Sequence, residues 1–150
     1  AQLEEALDAL VAEVEKRKSA DPSVSHAPEI VFLLEPQASK AFPLATGGDP
    51  TSVATKVTSL LEQGPRHGIH FVLMTTRLSR VDKVLGSFGR FNLDPFGIRI
   101  AFKADDGELA NFMSYQVSTK NAGTYAGILS DESIGETTNF QIYDEIPMQK

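Results

Sequence analysis

Hydrophobic strands alternating with amphipathic helices predict an α/β protein, with a mostly parallel sheet flanked by helices and a β-hairpin at the C-terminal end. Three observations carry the prediction. Two continuous β-favouring runs, Ile30 to Leu34 and Ile69 to Met74, read as strands buried on both faces. Between and before them apolar residues recur at helical spacing. Two further β-rich stretches, Thr124 to Leu129 and Asn139 to Tyr143, flank a polar, glycine-bearing segment from Ser130 to Thr138.

The elements follow in order. Leu3, Leu7, Leu10, Val11 and Val14 share one helical face, with Glu and Lys between them, so residues 2–18 form an amphipathic helix that stops before Asp21-Pro22. The run Ile30 to Leu34, bounded by Pro28 and Pro36, predicts a central parallel strand. Gln37 to Gly48 holds Pro43 and a Gly47-Gly48 pair without periodicity and reads as a long surface loop. Asp49 is placed to cap the next helix, with Pro50 at its first position, where no amide hydrogen is needed. Val53, Val57, Leu60 and Leu61 line its apolar face until Gly64-Pro65 ends it. The strand Ile69 to Met74 follows at once.

Thr75 to Phe96 is mixed, with a short helix near Val81 to Leu85 and turn signals at Gly86, Gly89 and Pro95. Gly97 to Lys103 predicts a third strand. Asp105-Asp106 caps a helix carrying Leu109, Phe112 and Met113. In such sheets ligands gather at the carboxyl ends of the strands. That rule singles out Glu35, after the first strand, and Thr75, Thr76 and Arg77, after the second.

The chain has 150 residues, 41% hydrophobic and 23% charged, a composition of folded globular domains at a length that suits one compact domain. Its longest aliphatic and aromatic run, Ile30 to Leu34, is far shorter than the roughly 20 residues of a membrane-spanning helix. The acidic, periodic N-terminus lacks the form of a secretory signal, so a cytoplasmic location is expected. The absence of cysteine excludes disulfides, thiolate metal sites and cysteine nucleophiles. Acids outnumber Lys and Arg by 20 to 14, a net charge of −6 that opposes nucleic-acid binding by the module as a whole. Arg77, Arg80, Lys83 and Arg90, preceded by Arg66 and His67, are a local basic exception; a run of this length is commonly a solvated face. His67 and His70 point in different directions along the chain and have no third ligand nearby. No metal site is expected, and His70 reads as a packed strand residue with a ring nitrogen bonded to backbone.

A buried strand ending in an acid is how P-loop ATPases place the carboxylates that hold magnesium and orient the nucleophile. Arg66-His67-Gly68-Ile69-His70-Phe71-Val72-Leu73-Met74-Thr75-Thr76-Arg77 resembles the signature of the FtsK/SpoIIIE family, in which Gly-Ile-His opens a strand ending in Ala-Thr-Gln-Arg. Arg99-Ile100-Ala101-Phe102 resembles the family's following Arg-Ile-Ala-Phe strand. Val14-Glu15-Lys16-Arg17 and Gly123-Thr124-Tyr125 with Phe140-Gln141 resemble its flanking helix end and closing hairpin. Together these cover the chain from about residue 3 to about residue 145; the stretch from Gly68 to Phe102 is the specific part.

The resemblance implies the C-terminal part of a RecA-like P-loop motor domain from an ATP-dependent DNA translocase. It implies ATP and Mg in the full-length protein, double-stranded DNA as its substrate, and neighbouring motor subunits in a ring, usually a hexamer. No membrane contact is implied for this segment, although the full-length protein has room for a membrane tether. Glu35 matches the catalytic or water-orienting carboxylate, Thr76 the polar Gln that senses the γ-phosphate, and Arg77 the Arg after it. Arg99 serves either structure, a subunit contact or nucleotide.

The departures from the family are specific. No lysine follows a glycine, so the Gly-Lys-Ser/Thr loop that neutralises phosphates is absent, and Leu34 stands where the magnesium-associated Asp belongs. The isolated chain is therefore expected to retain neither ATP nor Mg and to be inactive alone. Two accounts remain open besides chance likeness to an unrelated α/β binding domain. The chain is a segment of a longer motor that supplies the loop upstream, or it is a degenerate pseudo-ATPase used for assembly or protein binding.

Overall fold

The computed structural model describes residues 2–21, 23–44, 52–86, 90–119 and 126–142. They form a mixed α/β structure of four helices, a two-stranded parallel sheet and a three-stranded antiparallel sheet that ends in a hairpin. Two compact units divide the chain, Ala1–Pro95 and Phe96–Lys150.

In the first unit, helix α1 (Gln2–Ser19) buries Leu7, Val14 and, unusually, Arg17 along one stripe. Strand β1 (Glu29–Leu34) then pairs in parallel with β2 (Ile69–Met74), Glu29 opposite Ile69 and Leu34 opposite Met74. Helix α2 (Val53–Gln63) crosses between them and buries Val53, Val57, Leu60 and Leu61, the face its periodicity predicts. Its cap differs from expectation. Ser52 accepts from the Thr55 amide, and the helix begins there because a serine hydroxyl satisfies an N-terminal donor. Asp49 and Pro50 lie outside the described residues. Gly64 ends α2 in a buried turn where a Cβ would stand 2.8 Å from the Ile69 carbonyl oxygen, and Gly68 adopts φ 75°, a left-handed conformation that glycine takes freely. Helix α3 (Leu78–Leu85) starts three residues before the predicted short helix and buries Val81, Val84 and Leu85.

The strands are not buried on both faces. Ile30, Phe32 and Leu34 are about 60% exposed, and Val72 and Met74, their register partners, are also exposed. Leu33 and Ile69 on the opposite face are buried, with Val31, Phe71 and Leu73 half-buried. His70 shares the exposed face and is exposed rather than packed. Continuous apolar runs mark strands made for two covered faces, and the described helices of this unit cover only one.

The second unit departs from the predicted parallel arrangement. Strand β3 (Ile98–Ala101) pairs antiparallel with β4 (Ala126–Asp131), which pairs antiparallel with β5 (Glu136–Gln141) in the expected hairpin. Among the described strands, only β1 and β2 are parallel. Helix α4 (Asp106–Met113) connects β3 towards β4 and is capped as predicted, with Asp105 Oδ1 accepting from the Gly107 amide. Leu109 and Met113 of α4 form the core with Ala101 and Ile128. Gly127 allows the Phe140 ring to lie over the strand, where it meets Phe102 edge-on at 5.7 Å; a Cβ at 127 would sit 2.6 Å from that ring. Arg99 is buried in this unit. It donates to the Phe96 and Phe112 carbonyls and to Ser114 and pairs with Glu132 at 2.9 Å, all structural contacts.

Arg17 ties the first unit together. Its guanidinium donates to Glu13 (2.9 Å), to the carbonyls of Ala27 and His67 (3.1 Å each) and to Glu29. Replacing Arg17 by Leu removes bonds to two backbone carbonyls and is expected to lower stability by roughly 2–3 kcal/mol, read from urea unfolding midpoints. The hydrogen bond from Arg17, and secondarily that from Lys16, holds the Glu13 carboxyl below its ordinary value. A depressed folded-state pKa contributes stability that is present above the unfolded pKa and lost as pH falls through the folded one. Unfolding temperatures measured from neutral pH downward should therefore fall as pH drops through the ordinary carboxylate range and below it, and Glu13→Gln should flatten part of that fall.

Candidate functional site

The carboxyl ends of β1 and β2 lie at one rim because the two strands are parallel and in register. The Glu35 amide donates to the Met74 carbonyl at 2.8 Å, which extends the ladder one residue past the strand. The chain then turns sharply. Glu35 has φ 44° and ψ 54°, and Pro36–Ala38 forms a 3₁₀ turn with Pro36 buried at its first position. Among the described non-glycine residues only Glu35 and Ser114 have positive φ. A glutamate held in the left-handed region is strained by about 1 kcal/mol or more and persists where the surroundings dictate it.

That turn directs the Glu35 carboxylate across the rim. Thr76 Oγ1 donates to Glu35 Oε2 at 3.4 Å, and Gln37 Nε2 donates to the same oxygen. Glu35 and Thr76, two of the sequence-predicted site residues, are therefore brought together from positions 41 apart in the chain. Arg77 is at the same rim but turned to other work. Its amide donates to Thr75 Oγ1 at 3.1 Å as it caps α3, its side chain is exposed, and among the described residues it forms no ion pair. Arg80, Lys83, Arg90 and Arg66 are exposed as well and likewise form no ion pair among the described residues, while Asp82, within the same stretch, accepts from the Phe91 amide.

Gln37 was not a sequence candidate, because it falls in a stretch that reads as loop. The available signal was its place two residues beyond Glu35 across a proline. Its Oε1 is buried without a donor among the described residues. Leu34, in the position where a magnesium-associated acid is expected, sits on the exposed apolar face and offers no oxygen. At Glu35 the rim thus gathers one carboxylate, the Thr76 hydroxyl and the Gln37 amide, with the exposed Arg77 at the same rim. The carboxylate, hydroxyl and amide can orient a water or a hydroxyl; the paired carboxylates that hold a divalent ion are not present at this rim, and no lysine follows a glycine to form a phosphate-binding loop. No group of three or more His, Asp or Glu arranged for a metal occurs among the described residues, and no described helix is long and apolar enough to cross a membrane.

Comparison with protein-family models, with curated proteins and with solved structures finds no match to this chain.

The strain at Glu35 gives a direct check on the geometry. Glu35→Gly should raise stability by about 0.5–1 kcal/mol, since glycine adopts the left-handed conformation without the Cβ penalty. Glu35→Ala, which keeps the Cβ, should give no such gain in the same denaturation experiment.

Proposed function

We propose that the chain is part of an ATP-dependent DNA-translocating motor of the FtsK/SpoIIIE type, a partial RecA-like unit, with Glu35 as its catalytic carboxylate and Thr76 and Arg77 on the nucleotide side. The observation that carries the reading is the meeting of Glu35 and Thr76 at the carboxyl rim of two parallel, in-register strands. A strand ending in an acid beside a strand ending in a polar residue is the arrangement such motors use to orient the attacking water.

The residues present fit the water-orienting side of a nucleotide site only. ATP and Mg require phosphate-binding groups that this chain lacks, so the reading places them in the full-length protein with an upstream Gly-Lys-Ser/Thr loop. Bound Mg-ATP supplies the electrophilic phosphoryl group; Glu35 supplies an acceptor for a proton at its carboxylate. Double-stranded DNA fits the exposed Arg77, Arg80 and Lys83, whose charges lack acidic partners among the described residues. Neighbouring subunits of a ring belong to the same proposal, as does a cytoplasmic setting.

A second reading is favoured by one feature. Leu34 lies with Ile30, Phe32, Val72 and Met74 on an exposed apolar face, and a non-catalytic pseudo-ATPase module used for assembly or protein binding would present such a surface. The two readings separate in a longer protein carrying the phosphate-binding loop. Glu35→Gln should abolish DNA-stimulated ATP turnover, by 100-fold or more on the order expected for a lost general base, while nucleotide binding is spared. Unchanged turnover would remove Glu35 from the mechanism, and a full-length protein without the loop would favour the assembly module.

A further inference from the structure

Gln37 has no role in the reading above, and the rim is organised around it. The Glu35 carboxylate has two oxygens, and both donors that reach it, Gln37 Nε2 and Thr76 Oγ1, converge on Oε2. Oε1 accepts nothing from the described residues. The amide orientation follows from the chemistry: exchanging the Gln37 nitrogen and oxygen would bring a carbonyl against the carboxylate, so the nitrogen faces Glu35. The Gln37 carbonyl oxygen is then left buried, an acceptor without a donor among the described residues. A buried acceptor is costly unless a donor satisfies it.

We propose that Gln37 is a positioning residue for Glu35. It fixes the carboxylate through Oε2 and leaves Oε1 as the proton-accepting oxygen. The position is set by the fold rather than by the side chain alone. The left-handed backbone at Glu35 and the buried Pro36 fold Gln37 back over the rim, and the Ala38 amide closes the turn on the Glu35 carbonyl at 2.8 Å. In an extended chain, residues 35 and 37 would project to the same side with no such closure. The inference rests on the proposed motor reading for its catalytic half, and on geometry alone for the contact.

The experiment has two arms. In the 150-residue chain, the Gln37 side-chain NH₂ signals in a ¹H–¹⁵N spectrum, assigned by their loss in Gln37→Met, should lie away from those of solvent-exposed glutamines and move in Glu35→Gln and in Thr76→Val. Signals at the exposed-glutamine position that ignore both substitutions would overturn the contact and with it the proposal. In the full-length motor with DNA, Gln37→Met keeps the volume of the side chain and removes its polar atoms. It should lower kcat for ATP turnover roughly 10- to 100-fold with KM within about twofold, the pattern of a misplaced catalytic group. A packing role alone predicts that Met preserves kcat, and that result would reject the positioning role. Glu35→Gln run alongside separates the failures: if it leaves turnover intact, Glu35 is removed from the mechanism and takes the catalytic half of this inference with it; if it abolishes turnover while Gln37→Met does not, only Gln37 is removed. Gln37→Asn, too short to reach the carboxylate, should match Met and keeps the arm decisive if Met perturbs folding.

Discussion

The arrangement at the rim depends on a buried guanidinium at the other end of the sheet. Arg17 donates to the carbonyl of Ala27, just before β1, and to the carbonyl of His67, just before β2, through one terminal nitrogen. Two strand entrances bonded to a single atom cannot slide past one another without breaking a charged hydrogen bond. Glu29 then receives the other terminal nitrogen, and its amide bonds the Gly68 carbonyl at 2.8 Å, so the ladder begins in register. Six residue steps later, about 20 Å along the strands, the register set by Arg17 delivers Glu35 opposite Thr75 and within reach of Thr76. A slip of one residue would turn every side chain of one strand to the other face and separate that pair.

Arg17 is a costly choice for a buried position, and its surroundings explain why it is tolerated. Four N–H bonds to carboxylates and carbonyls are formed, which leaves little of the guanidinium's donor capacity unmet. Planar, forked donors allow one side chain to bridge a helix end and two strand starts at once; the single point charge of lysine would not match three directions. The same device recurs in the second unit, where Arg99 joins the Phe96 and Phe112 carbonyls to Glu132. In each unit, polar geometry rather than apolar burial specifies how the connecting segments meet the sheet.

The parts of this structure legible in the sequence were those written in local patterns. The apolar runs gave β1 and β2 almost to the residue, helical spacing gave the buried faces of α1 and α2, and Asp105 announced the start of α4. Glu35 and Thr76 were reachable from the rule that ligands gather at strand ends. The rest depended on contacts remote in the chain. Nothing local says that Arg17 is buried, since its environment is built from residues 10 and 50 positions away. The exposed face of β1 and β2 was unreadable because an apolar run states what a strand is made for, not which layers are present. The antiparallel pairing of β3 was hidden for a related reason: a strand followed by a helix suggests a crossover, and only the return of β4 alongside it reveals a reversed direction. Gln37 was missed because a left-handed residue at Glu35 brings it back over the rim, and backbone handedness at a glutamate has no sequence signature.

That handedness bears on the choice between an active motor segment and an assembly module. A turn of this shape needs a residue that accepts positive φ, and glycine or asparagine meets the need at lower cost. Glutamate adds strain and a charge that must be hydrogen-bonded, by Gln37 and Thr76, within a rim whose neighbouring face is apolar. An assembly surface gains nothing from such an arrangement, because an uncharged glycine turn would leave the apolar face intact and the chain more stable. A site that must present one carboxylate oxygen in a fixed direction gains a great deal, since the strain and the two donors together restrict the side chain to one orientation. The exposed leucine at position 34 speaks for association through the sheet face, and the strained glutamate at 35 for chemistry at its edge. The two are compatible: Leu34 ends β1 on its apolar face, while Glu35, past the strand in the left-handed turn, directs its carboxylate across the rim, so one can meet a partner while the other faces a ligand.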